Sequence, residues 1–250
     1  MATSNIERYD NIILGGGWSA VECANALNEA GRSSLMVTAD IDSIGWIAQP
    51  ALVKNRKVEA ELKCQNALIM KILGSAKKDT RLIARLTKKE IDKKENILLR
   101  QDTITKIKKE KEFTLSGKSG QVYLTKHLFL FPGNYVGANL SQKGPKASEL
   151  GLFSEITEND LEDSLNKLGL EMTRSQEKQH KTLKPGTLKD GLLAGQGLHF
   201  GGKFIGAENA FESALTGIIA ARWHLKDRKG ALSSQEMFHV KQWPERCEQA

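Results

Sequence analysis

At 250 residues, 40% of them apolar, the chain can bury a sizeable core as one large α/β domain or two small ones, and its net charge of +7 points toward anionic partners. No run of 18 apolar residues and no charged-then-apolar leader is present, which predicts a cytoplasmic protein with no membrane contact. Cys23, Cys64 and Cys247 are widely spaced with no C-x-x-C pair, against a disulfide framework or a zinc site.

The first element is a βαβ unit, Tyr9 to Asp40. An apolar run (Ile12, Ile13, Leu14) leads into three glycines, a helical pattern runs from about Trp18 to Ala30, and a second apolar run (Leu35, Met36, Val37) closes a unit of about 30 residues. The spacing is G-x-G-x-x-A. Gly15 takes the tight turn, Gly17 lets a pyrophosphate approach the backbone, and Ala20 permits close helix–strand packing. With Gly16, Trp18 and Ser19 these residues form a candidate phosphate site at a helix N-terminus. At the end of the second strand, where an acid would hold the ribose hydroxyls, stand Thr38 and Ala39, with Asp40 two residues late.

Gly45 and Pro50 make residues 44 to 53 a loop on the ligand side of the sheet; Trp46, Gln49 and Pro50 either line a pocket or pack on the core. A helical excursion over about 54–95 follows. Its first helix runs from Val58 to Leu73 and stops at Gly74, and its second runs from Thr80 to Asp92 with Leu82, Ile83 and Leu86 on the apolar side. Then the period shortens. NILLR, TITKIKK, EFTLSG and QVYLTKHLFLFPGN read as strands over about 96–126 and beyond, the last two joined by a turn around Gly117 and Gly120. Lysines and arginines crowd between Lys77 and Lys111, interleaved with acids, either as a solvated face or as a basic face for a tRNA or protein partner.

Thr157, with Asp160 three residues on, caps a short helix to Leu168, and residues 173–190 read as a polar surface loop in which His180 is exposed. A buried strand, Gly191 to Gln196, enters a glycine-rich loop and a long helix from Ala207, with Phe211, Ala214, Leu215, Ile218 and Ile219 as its apolar stripe and Glu208 and Glu212 in its early turns. Residues 231–250 form a tail. A βαβ unit, a helical excursion, a hairpin and an apolar strand ending in Pro-Gly together predict an α/β, Rossmann-like FAD-binding fold, one domain over about 1–230 with a parallel sheet and a β-hairpin insertion. An NAD-dependent dehydrogenase fits less well, because the ribose-binding acid and a catalytic domain are missing.

In order and number these motifs resemble the GidA flavoproteins. GGGWSAVECANAL is similar to the family's glycine loop and first helix, TADIDSIG to the segment after the second strand, RQDTITKI to the strand whose backbone meets the adenine, and FLFPGNYVGANL to the strand ending in T-G. LEDSLNKLGLEM, LLAGQ and FESALTGIIAA resemble later family segments. The resemblance implies FAD as cofactor, with Ile104 at the adenine, Pro132 and Gly133 at the T-G positions, Gly195 and Gln196 near the ribityl and phosphate region, and Ala207 and Glu208 near the flavin ring. IAQPAL resembles the segment in which the long members carry a cysteine; here Ala48 stands in its place, so no covalent uridine adduct is expected from that position. The length is also that of the short GidA-related proteins, without the insertion and C-terminal domain that engage tRNA. Two functions follow: a small FAD flavoprotein with a redox or tRNA-linked role, or a non-catalytic FAD-binding accessory module.

Overall fold

Alternation within the apolar strands decides how the sheet is covered. In β1 (Ile6–Leu14), Ile13 points to one face while Ile12 and Leu14 point to the other; in β2 (Ser34–Thr38), Met36 opposes Leu35 and Val37 in the same way. Both faces are therefore buried, as a parallel sheet requires. The computed structural model describes residues 6–45, 56–76, 79–131, 164–168, 170–172, 181–182, 186–188, 191–195, 198–200, 203–205 and 209–227.

After α1 (Trp18–Glu29) and β2 come α2 (Arg56–Cys64), α3 (Leu68–Ala76) and α4 (Thr80–Ile91), then β3 (Ile97–Gln101), β4 (Ile104–Lys109), β5 (Phe113–Gly117) and β6 (Val122–Leu130). Short strands follow: β7 (Glu171–Met172), β8 (Lys181–Thr182), β9 (Gly186–Leu188), β10 (Leu192–Ala194), β11 (Leu198–Phe200) and β12 (Lys203–Ile205), before a final helix α5 (Ala210–Asp227). The main sheet has the order β3-β2-β1-β6-β10-β9. Its first five strands are parallel and β9 is antiparallel to β10. This is the expected Rossmann-like α/β arrangement.

β6 carries two partners along its second edge. Its first half pairs with β5 (Val122 with Ser116), and its last three residues pair with β10 (Leu128 with Leu192). One face of the sheet holds Ile13, Met36, Phe129 and Leu193 under α1, α3 and α5; the other holds Leu14, Val37 and Leu130 with the meander residues Ile107, Phe113, Leu115 and Tyr123. Each fully buried aliphatic side chain contributes about 1.5–3 kcal/mol.

Several expectations are corrected. The helix expected over Val58 to Leu73 is two helices, because Asn66 takes a left-handed φ of 51° and closes α2 in a Schellman motif: Ala67 N–H donates to the Leu62 carbonyl and Asn66 N–H to that of Lys63. Gly74, expected as a stop, lies inside α3. The segment NILLR leaves the hairpin group and becomes the parallel edge strand β3 beside β2, so the antiparallel meander is β4-β5-β6. The stretch expected as a polar loop over 173–190 contains β8 and β9, and the expected glycine-rich loop contains the hairpin β11–β12; β7, β11, β12 and β8 form a second, four-stranded sheet. Short strands flanked by glycines carry too little period to be told from a loop.

The last helix begins at Ala210. Asn209 caps it: the Asn209 Oδ1 accepts the Glu212 N–H at 2.9 Å, and the Asn209 side-chain amide donates to the Glu212 carboxylate at 3.1 Å. Of the expected helix ending at Leu168, residues 164–167 are helical. Residues 46–55, Thr157, His180, Cys247 and the tail 231–250 lie outside the described residues.

Candidate functional site

The carboxyl ends of the parallel strands meet at one edge: Leu14 is level with Val37 and Leu130, Leu130 with Ala194, and Thr38 with Gln101. β1 sends its chain through α1 to β2 on one side, while β6 and β10 lie on the other. The glycine loop therefore sits at the point where strand order reverses, the place where open α/β sheets bind ligands.

The three glycines differ in what requires them. Gly15 has φ +139°, and a Cβ there would stand 2.5 Å from the Phe131 carbonyl oxygen; at Gly16 it would stand 2.6 Å from the Thr38 hydroxyl oxygen. Packing alone demands both. At Gly17 an added Cβ meets nothing within 4 Å, φ is an ordinary −78°, and the residue is exposed. Gly17 is also the N-cap of α1, and among the described residues no side chain caps that helix. The loop thus offers an open space in front of a positive helix end, the geometry that accepts a phosphate.

Trp18 and Ser19 turn inward. Trp18 is 2% exposed and packs in the helix-side core. The Ser19 hydroxyl is engaged with α5, lying 2.8 Å from both the Ser213 carbonyl and the Thr216 hydroxyl, and a Cβ at Gly217 would come within 2.0 Å of the Ser19 carbonyl. Small residues let α1 and α5 touch backbone to backbone, so the Ser19 side chain serves that contact.

The ribose candidates are arranged as follows. Thr38 is buried, its hydroxyl 3.4 Å from the Asp40 carbonyl. Ala39 is half-buried at the strand end; Asp40 is exposed, and its carboxylate accepts the Asp42 N–H and the Ser43 hydroxyl in a local turn. The chain then folds back so that Gly45 N–H donates to the Gly16 carbonyl at 2.7 Å. Ile104 opens β4 with a fully buried side chain, leaving its backbone as the part a ligand could meet. Gly195 follows β10, hydrogen-bonded to Leu130, and a Cβ there would strike the Phe131 ring at 2.2 Å. Pro132, Gly133, Gln196, Ala207, Glu208, Trp46 and Ala48 lie outside the described residues.

Three residues not singled out from the sequence organise this edge and the helices beside it. Phe131 is held between Gly15 and Gly195, joining the ends of β1, β6 and β10. Its signal was its place just before Pro132. Asp102, 6% exposed, accepts the Ser119 and Tyr123 hydroxyls. Glu22, fully buried on α1, accepts the Ile69 N–H at the start of α3; desolvation pushes its carboxyl up to about 7 against the pull of the Ile69 and Leu68 amides. Burial of Cys23 likewise pushes its thiol up, which leaves it an unreactive core residue.

The family model described as glucose inhibited division protein A matches residues 10–179, which include the glycine loop, the helical excursion and the meander. The chain belongs to the GidA family. Among relatives of GidA type, the tRNA uridine 5-carboxymethylaminomethyl modification enzymes MnmG of Lachnoclostridium phytofermentans and Chloroflexus aurantiacus are each 28% identical, over 199 and 158 residues, or 69% and 52% of this chain. The chain spans 31% and 24% of those enzymes' lengths. The GidA-related protein from Thermus thermophilus has the same fold at 16% identity and a TM-score of 0.59, covering 87% of this chain and 99% of that one. Among the described residues no helix of this GidA-family chain is long and apolar enough to cross a membrane.

Proposed function

We propose that the chain binds FAD across the carboxyl ends of β1, β2, β6 and β10, with the pyrophosphate at the start of α1, the adenosine toward Thr38, Ala39 and Ile104, and the flavin toward Gly195. The observation that carries this reading is Gly17, where the packing asks for no glycine and an uncapped helix faces open space. Membership of the GidA family supports FAD over another dinucleotide. Pro132, Gly133, Gln196, Ala207 and Glu208 are the further contacts this reading assigns. Bound FAD would supply one- and two-electron redox chemistry; the chain's residues bind and orient it.

The test is the visible absorption spectrum of the purified protein and chemical identification of any released cofactor, repeated with Gly17→Val. Flavin bands lost in the variant support the reading. A colourless protein that takes up no added FAD overturns it. Reduction by NAD(P)H or dithionite, followed by reoxidation, then separates a redox flavoprotein from an accessory module that holds FAD inertly.

A role on RNA, which the names of the MnmG relatives suggest, draws support from α4. Arg81, Arg85 and Lys89 recur every four residues along it, exposed and without an acidic partner among the described residues, whereas Lys88 and Lys93 are paired with Asp92 and Glu90. Helix α4 itself lies beside the site, with buried Thr87 packed against Gly45, while the ridge runs along its opposite, exposed face. With Ala48 in the segment where the long members carry a cysteine, an RNA-linked activity would proceed without a thiolate from that position. Salt-dependent tRNA binding that weakens when Arg81, Arg85 and Lys89 become glutamine would bear this out; unaltered binding would count against it.

A further inference from the structure

Asp102 stands between β3 and β4 as a buried carboxylate whose two oxygens gather four donors. Its Oδ1 accepts the Thr103 N–H at 2.8 Å and the Ser119 N–H at 3.2 Å; its Oδ2 accepts the Ser119 hydroxyl at 2.6 Å and the Tyr123 hydroxyl at 2.8 Å. Gly117 belongs to the same cluster, since a Cβ there would lie 1.9 Å from Oδ2. The donors come from the β5–β6 turn, from β6 and from the start of β4. One side chain thus ties three parts of the meander together.

The backbone of the same residue continues the β2–β3 ladder to the end of β2. Asp102 N–H donates to the Thr38 carbonyl at 3.0 Å, and the Thr103 carbonyl accepts the Lys118 N–H at 2.8 Å. Thr38 in turn fills the space beside Gly16. A continuous chain of contacts therefore runs from the phosphate loop through the end of β2 to Asp102 and Ile104. In this fold the nucleotide ribose is bound at the end of the second strand. A meander core needs no charge here, and an apolar residue would cost less to bury. What the carboxylate adds is a fixed backbone position, because four directed bonds tolerate little displacement.

We infer that Asp102 is a positioning residue for the adenosine half of the cofactor, holding the backbone at 102–104 against Thr38. This rests on the FAD reading above. The experiment measures dissociation constants for FAD and for ADP on the full chain, in the wild type and in Asp102→Asn, Tyr123→Phe and Leu115→Ala. Leu115 is fully buried in the same meander and bonds none of these groups through its side chain, so it reports general loosening.

Asp102→Asn should weaken FAD and ADP alike by about tenfold. Tyr123→Phe, which removes one donor without changing shape, should weaken both by a smaller factor. Leu115→Ala, measured well below its unfolding midpoint, should hold ADP within about twofold of wild type. The visible spectrum of FAD at saturation should be unchanged in all three, because the flavin end is untouched. Wild-type ADP affinity in both Asp102→Asn and Tyr123→Phe would overturn the inference, as would an equal loss in Leu115→Ala. A wild type that binds neither FAD nor ADP would remove the FAD reading itself, a distinguishable failure.

Discussion

Glu22 of α1 accepts the backbone N–H of Ile69 at 2.7 Å, so a carboxylate on one helix caps the start of another. Its second oxygen is buried with no partner among the described residues. The bond fixes α3, and with it the helical excursion, to the helix that carries the glycine loop.

This arrangement makes stability depend on pH. Burial raises the Glu22 carboxyl from 4.5 to about 7, so the folded chain holds this proton more tightly than the unfolded chain does. The contribution is fully present below pH 4.5 and is lost as pH rises through about 7, a change of about 3 kcal/mol in the folding free energy. Glu22→Gln keeps an acceptor for Ile69 and has no charge to bury. It should abolish that slope and be more stable than wild type at pH 8, as read from urea unfolding at pH 5 and pH 8. Parallel pH profiles for the two proteins would refute the account.

The glycine loop gives a contrast within three residues. Gly17→Val should unfold within a few degrees of the cofactor-free wild type, because its side chain enters open space at an ordinary φ, yet it should retain no flavin. Gly15→Ala should lose about 2 kcal/mol or more, since it combines a φ of +139° with a clash on the Phe131 carbonyl. Thermal melts of both apoproteins decide between these outcomes.

Gly217 sits in the middle of α5, where alanine ordinarily stabilises a helix by about 1 kcal/mol. Here the added methyl would lie 2.0 Å from the Ser19 carbonyl and force α1 and α5 apart. Gly217→Ala should therefore destabilise, by about 1–3 kcal/mol. Ser19→Ala, which removes only the hydroxyl bridge to α5, should cost about 1 kcal/mol. A stabilised Gly217→Ala protein in denaturant titrations would show that the helices are not in backbone contact.

Asp79 caps α4, its carboxylate accepting the Arg81 and Leu82 N–H groups. Asp79→Ala should cost about 1 kcal/mol in urea unfolding, while Asp79→Ser should cost little. Equal losses in the two variants would assign the effect to something other than the cap.

Long periodic elements were legible and short or pair-dependent ones were not. α1, α4, and strands β1 to β6 follow from local periodicity and from glycine at turns. The break at Asn66 was missed because a left-handed asparagine looks like any polar residue in a helical run. β8, β9, β11 and β12 are two or three residues long and exist only through their pairing. At the site, the glycines were read from spacing, whereas Asp102 and Glu22 gave no spacing signal, since their side-chain partners Tyr123 and Ile69 lie far along the chain.

Local chemistry in the sequence was thus enough to set the βαβ unit, the glycine loop at a helix start and the alternation that buries both sheet faces, because these depend on residues within a few positions of one another. Only the tertiary structure decided which glycines serve packing and which faces open space. It also decided that the Ser19 hydroxyl belongs to α5, and that Asp102 ties the meander together through its buried carboxylate while its backbone N–H bonds the end of β2. Those outcomes depend on which distant backbones come within contact of each other, and close packing allows one such arrangement where sequence spacing allows many.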